Sequence, residues 1–110
     1  MQKLVNYHSN LAHGTVFRFP GSYPHEKYVD LILVEFPDSD RKFGLVVSTG
    51  HKAGLILIKL PKDAESNNFA GIDRQWVIDN WNKWIYETCN VDDVYVIQNY
   101  PIPVIDYSKP

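Results

Sequence analysis

The chain of 110 residues has little of what usually advertises chemistry. It contains one cysteine, Cys89, so no internal disulfide can form and a reducing compartment suits it better than secretion. No apolar run approaches the about 18 residues that a membrane span needs. Residues 1–6 also lack the apolar core of a signal peptide, so a cytoplasmic location is expected and no membrane partner. With 13 acidic and 11 basic side chains the formal net charge is only −2, which provides no field to hold a nucleic-acid backbone; direct nucleic-acid binding is not expected. The nucleophile elbow Gly-x-Ser-x-Gly and the phosphate loop Gly-x-x-x-x-Gly-Lys are both missing, which leaves acyl and phosphoryl transfer without visible machinery.

Four histidines, His8, His13, His25 and His51, lack the short spacing of zinc ligands, so neither a metal nor another cofactor is expected. Pro37-Asp38 followed by Asp40-Arg41-Lys42 superficially matches a metal nuclease. That reaction needs acids from adjacent strands converging on one metal, whereas these sit in one turn. Cys89 has no base near it in sequence and reads as a structural thiol.

What the chain does have is large apolar side chains: 45% of residues are hydrophobic, including three Trp, seven Tyr and five Phe. That is enough to offset chain entropy and fill one core, and one core fits a single domain over residues 1–110. Pro and Gly divide the chain. Strands are expected at 14–19, 28–36, 43–49, 54–60 and 93–98, with turn chemistry at 37–40 and glycines Gly50 and Gly54 at a tight reversal. The three middle runs should form an antiparallel meander.

The period then changes. Val77, Trp81, Trp84 and Ile85 share one face of a helix over about residues 73–86, with Asp73 as N-cap and Ile72 against Val77 as a hydrophobic staple. On a regular helix at about 100° per residue, Trp76 lies away from Trp84. From Tyr100-Pro101-Ile102-Pro103 an extended tail, residues 99–110, is expected.

The fold class is therefore α+β. Because the central runs are apolar on both alternating faces, one helix cannot cover the sheet. A strongly curled, mostly antiparallel sheet of about five strands is the expected answer, favoured over a homodimer.

Without a catalytic set, the function expected is binding. Asp38 with Asp40, and Asp92 with Asp93, lie near strand ends; such pairs are ordinarily solvated caps, but on exposed loops they can steer a basic partner. His51 and Lys52 at a hairpin tip, and the outward Tyr95, are the other candidate partner-binding residues. An alternative is a small enzyme or ligand-binding protein whose site, around His51 with Ser48 and a carboxylate, assembles only in three dimensions.

Three blocks carry a family resemblance. They are residues 14–20 (Gly-Thr-Val-Phe-Arg-Phe-Pro), residues 48–57 (Ser-Thr-Gly-His-Lys-Ala-Gly-Leu-Ile-Leu) with Leu60-Pro61, and residues 76–86 (Trp-Val-Ile-Asp-Asn-Trp-Asn-Lys-Trp-Ile-Tyr). Together they resemble bacterial immunity proteins encoded beside polymorphic or contact-dependent growth-inhibition toxins, in particular the forty-fifth numbered immunity family. The resemblance implies a non-enzymatic antitoxin that neutralises the C-terminal domain of a cognate toxin, often a nuclease, by occluding it. It names no contact residues and ends near Gln98.

Overall fold

A computed structural model describes residues 1–21, 27–37, 39–100 and 106–108. Among these, the strands are β1 (Gln2–Lys3), β2 (Leu11–Ala12), β3 (Val16–Pro20), β4 (Tyr28–Glu35), β5 (Phe43–Val47), β6 (Ile56–Lys59), β7 (Gly71–Ile72) and β8 (Tyr95–Ile97), and the α-helix is α1 (Arg74–Asn80). Six strands form one antiparallel sheet in the order β1-β8-β3-β4-β5-β6, and β2 pairs with β7 separately. The β3–β4–β5–β6 meander follows the expected runs. Gly50 and Gly54, both at positive φ, make the reversal between β5 and β6.

The register sorts the side chains onto two faces. Phe17 stands opposite Leu31 and Val96, Phe19 opposite Val29, and Leu33 opposite Leu45. All are buried and form the core with Val77, Trp81 and Ile85 of the helical segment. Trp81 is fully buried, with its ring 5.3 Å from Phe19 edge-on and 6.0 Å from Phe17.

Asp73 caps α1 as its sequence suggests, its carboxylate accepting from the Trp76 amide at 3.1 Å. Beyond Asn80 the helix widens into a π turn, Trp81–Ile85, closed by the Tyr86 amide donating to the Trp81 carbonyl at 2.9 Å. An i→i+5 bond reduces the rotation per residue. Trp84 is thereby brought beside Trp76, ring centroids 5.9 Å apart, where a regular helix would have separated them.

The sheet differs from the expected one in two ways. It has six strands, because β1 is too short to show a period, and it is open, with β1 and β6 as unjoined edges rather than a strongly curled or closed surface. The second face is less apolar than its sequence runs suggest, since a charged pair, Arg18 and Asp30, occupies its centre. Phe36 folds over it as well, lying against Gly44; a Cβ there would come 2.7 Å from Phe36 Cε2, so only glycine permits the approach. Lys59 Nζ sits 4.9 Å above the Phe36 ring.

Edge strand β6 is irregular. Its ladder with β5 shifts register between Leu45 and Val46, and Arg41 Nη1 donates to the Lys59 carbonyl at 3.2 Å. Among the described residues no helix is long and apolar enough to cross a membrane. Asp38 and most of the expected tail, residues 101–105 and 109–110, lie outside the described residues.

The buried Trp81 generates a stability prediction. Its indole N–H has no hydrogen-bond partner among the described residues, so truncation removes packing while relieving an unmet donor. Trp81→Ala should cost about 3–5 kcal/mol in urea unfolding, whereas Trp81→Phe should cost well under half of that. Equal losses would show that the indole N–H contributes a bond of its own.

Candidate functional site

The second face is built around one buried carboxylate. Asp30 sits at the third position of β4, alternating outward from the Val29 and Leu31 core side, and is only 1% exposed. Arg18, its cross-strand neighbour on β3, donates from Nε to Oδ1 at 2.7 Å and from Nη2 to Oδ2 at 2.8 Å. The Tyr100 hydroxyl donates to Oδ2 at 2.9 Å, turning the chain after β8 back over this face. Ser48 lies against the Tyr100 hydroxyl, and Thr49 Oγ1 accepts from the Asp30 amide at 3.1 Å. A buried charge is tolerable only when its oxygens are bonded, and here they are. The same bonds raise the Arg18 pKa above its usual value, chiefly through the hydrogen bond to Asp30.

Around this centre the register lays out two rows. Lys3, Tyr95, Arg18 and Asp30 stand opposite one another across β1, β8, β3 and β4. One step along, Ile97, Val16, Ile32, Val46 and Ile56 form an aliphatic row across β8, β3, β4, β5 and β6. At the outer end of the first row a groove of about 430 Å³ opens, lined by Met1, Arg18, Pro20, Tyr28 and Tyr95. Tyr28 is 51% exposed and Tyr95 37%. Arg and Tyr side chains of this kind are the usual anchors of protein interfaces.

Strand directions decide which of the sequence candidates can act together. The turn before β8, with the exposed Asp92 and Asp93, and the β5–β6 reversal, with the exposed His51 and Lys52, both fall at the end of the sheet where β4 begins at Tyr28. Tyr95 opens β8 at the same end. Asp40 does not join them: it lies in the β4–β5 turn at the opposite, Glu35 end. The β5–β6 reversal leads into the exposed aliphatic run Leu55, Ile56 and Leu57, at 59%, 51% and 41% exposure, with Ile56 level with Ile32 of β4. Neighbouring strands lie about 4.8 Å apart, so the span from β8 to β6 is about 19 Å, within the width of one ordinary protein interface.

Immunity protein 45 is the family whose pattern matches this chain, over residues 4–96. The chain belongs to that family. Its general role is accordingly toxin neutralisation. The comparisons with curated proteins and with solved structures give no match. In this immunity protein the matched segment contains β3, β4, β5 and α1, hence Arg18 and Asp30, while Tyr100 lies beyond it.

Arg18 and Asp30 were not among the sequence candidates. The available signal was a charge in the middle of each of two apolar strands, at positions that alternation assigns to one face; neither residue alone says that the other is opposite. Leu55, Ile56 and Leu57 read as core because the run is continuous, but β6 is an edge. Of the groups weighed for a three-dimensional active site, Ser48 is bonded to Tyr100, and the nearby Asp30 carboxylate is held by Arg18 and Tyr100. Cys89 is buried, its thiol donates to the Asn90 carbonyl at 3.3 Å, and burial first, then the charge of Asp93, pushes its pKa up. Among the described residues no cluster of three His, Cys, Asp or Glu is placed to hold a metal ion.

Two predictions test this centre. Arg18→Met removes the counter-charge of the buried Asp30 and two of its hydrogen bonds, and should cost about 3–5 kcal/mol. Asp30→Asn should cost less, because Arg18 is partly exposed and can hydrate, and the double variant should recover part of the loss; an Arg18→Met effect smaller than that of Asp30→Asn would contradict the assignment.

The second concerns Tyr100, whose pKa is raised from 10.0 by burial first, with the bond to Asp30 acting the same way and Ser48 opposing. The folded protein holds this proton more tightly than the unfolded chain does. Its contribution is therefore complete below the unfolded value near 10.0 and is lost as the pH rises through the folded one. The stability advantage over Tyr100→Phe should stay level up to that pH and shrink above it, and an advantage that widens in alkali would be inconsistent.

Proposed function

We propose that this chain protects the cell that makes it by binding the C-terminal domain of a cognate toxin in the cytoplasm and occluding the surface that the toxin needs. The toxin is most simply a nuclease delivered by contact-dependent growth inhibition, because the resemblance of the sequence is to immunity proteins of those systems. The reading is supported by one observation above the others. Exposed large apolar side chains, Tyr28 and Tyr95 at one end of the sheet and Leu55, Ile56 and Leu57 on the edge that leads from it, flank His51, Lys52, Asp92 and Asp93.

Exposed aliphatic side chains in a row on an edge strand favour coverage by another protein, since water gains nothing from them. Asp92 and Asp93, at the β8 side of the same end, can steer basic loops of a nuclease into register and raise the association rate more than the final affinity. The inhibitor contributes no bond-making group in this scheme. It acts by shape, by buried apolar area and by charge placement.

The test is binding to the toxin encoded beside this gene. A stoichiometric complex should form, and the double variant Leu55→Asp, Ile56→Asp should weaken it by about a hundredfold while leaving the far-ultraviolet circular dichroism unchanged. Asp92→Asn with Asp93→Asn should slow association at low salt and lose that effect at high salt. If the purified chain neither binds nor protects against the adjacent toxin, the proposal is wrong.

A further inference from the structure

Arg18 is held in an unusual state for a surface arginine. Asp30 beneath it engages Nε and one hydrogen of Nη2. Among the described residues, no hydrogen bond uses Nη1, and the Nη1–Nη2 edge of the planar, five-donor fork is turned away from Asp30. The side chain is 35% exposed, whereas that of Asp30 is 2% exposed. What faces outward is thus an oriented cation whose counter-charge is hidden behind it.

The surroundings reinforce the sign. Lys3 stands in the same cross-strand row, opposite Tyr95. Lys27 lies on the other side, its Nζ 5.5 Å above the Tyr28 ring. The walls between these cations are the exposed rings of Tyr28 and Tyr95, together with Pro20 and Met1. An end-on guanidinium edge matches the two oxygens of a carboxylate, and flanking tyrosines exclude water from the pair and can bond its outer edge through their hydroxyls.

Resting on the reading of this chain as a toxin-neutralising protein, we propose that the groove between Tyr28 and Tyr95 receives an acidic side chain of the toxin, whose carboxylate docks on the Nη1–Nη2 edge of Arg18. Asp30 is a positioning residue for that contact. It fixes the guanidinium plane before the partner arrives, so little side-chain freedom is lost on binding.

A single carboxylate fits better than a polyanion. Asp92 and Asp93 precede β8 at this end of the sheet and would repel a phosphodiester chain, and the cations are too few to form a track along one. They would instead favour a partner that carries basic groups next to its inserted acid. Opposite charges set across one face fix the orientation of the partner, because a docking rotated by half a turn would bring like charges together.

The groove can be tested with short probes. The intact protein, labelled with nitrogen-15, is titrated with acetyl-Gly-Glu-Gly-amide and separately with the Gln counterpart, following the Arg18 Nε–Hε signal and the Tyr28 and Tyr95 amides. The Glu peptide should shift these signals together in a saturable way, the Gln peptide should not, and a short oligothymidylate should bind no better than the Glu peptide. In the variant Tyr28→Ala, Tyr95→Ala, whose two positions are exposed and leave the fold intact, Glu-peptide affinity should drop about fivefold or more, as for loss of interface anchors. Shifts that are equal for the two peptides, lie elsewhere, or are stronger with the oligonucleotide would overturn the inference.

The toxin gives the second arm. If the toxin is bound and neutralised equally well by wild type and by the two-tyrosine variant, the groove is not its acidic docking point, although the protein is still an immunity protein. If Glu-selective shifts appear but no complex forms with the toxin, the groove is a carboxylate site and the assigned function is what fails.

Discussion

Everything on the outer side of this sheet follows from the need to neutralise the Asp30 carboxylate. It is buried, so each oxygen must be bonded, and the donors come from distant parts of the chain: Arg18 on β3 and Tyr100 beyond β8. Thr49 and Ser48, just after β5, hold the backbone of the same residue through the Asp30 amide and carbonyl. One residue thereby ties four segments together, two of them to its own strand through the carboxylate and one through its backbone. It also fixes register, because sliding β4 by one residue would turn Asp30 into the apolar layer beneath Trp81 and move Leu31 outward.

The two faces divide the labour. The inner face is filled by Phe17, Phe19 and the helical Trp81, and that packing makes the sheet a rigid platform. Rigidity matters for the binding proposed above, since affinity depends on groups already held where a partner needs them. At the Tyr28 end and on the edge that leads from it, the platform presents both signs of charge and uncovered aliphatic and aromatic side chains within the breadth of one contact.

Much of this was legible in the sequence where a local rule sufficed. Asp73 announced the helix start, Gly50 and Gly54 the β5–β6 reversal, and Pro37 the end of β4. Features that need two distant residues were not legible. The Arg18–Asp30 pair is visible only once strand register is known, and the π turn has no residue signature in Trp81–Ile85. The expected closure of the sheet failed for the same reason: counting apolar residues in single strands overstated how apolar the second face would be once a charged pair stood at its centre. Of the candidates near strand ends, His51, Lys52, Asp92, Asp93 and Tyr95 fall at one end of the sheet, whereas Asp40 is separated from them by the length of β4.

The irregularity of β6 also bears on solubility. A straight apolar strand at a sheet margin is a template on which other chains can polymerise into fibrils. Here the strand with the most uncovered aliphatic surface is kinked by its register shift, and the guanidinium of Arg41 already occupies an outward carbonyl. The same strand can thus leave aliphatic side chains uncovered while denying its backbone to indiscriminate stacking.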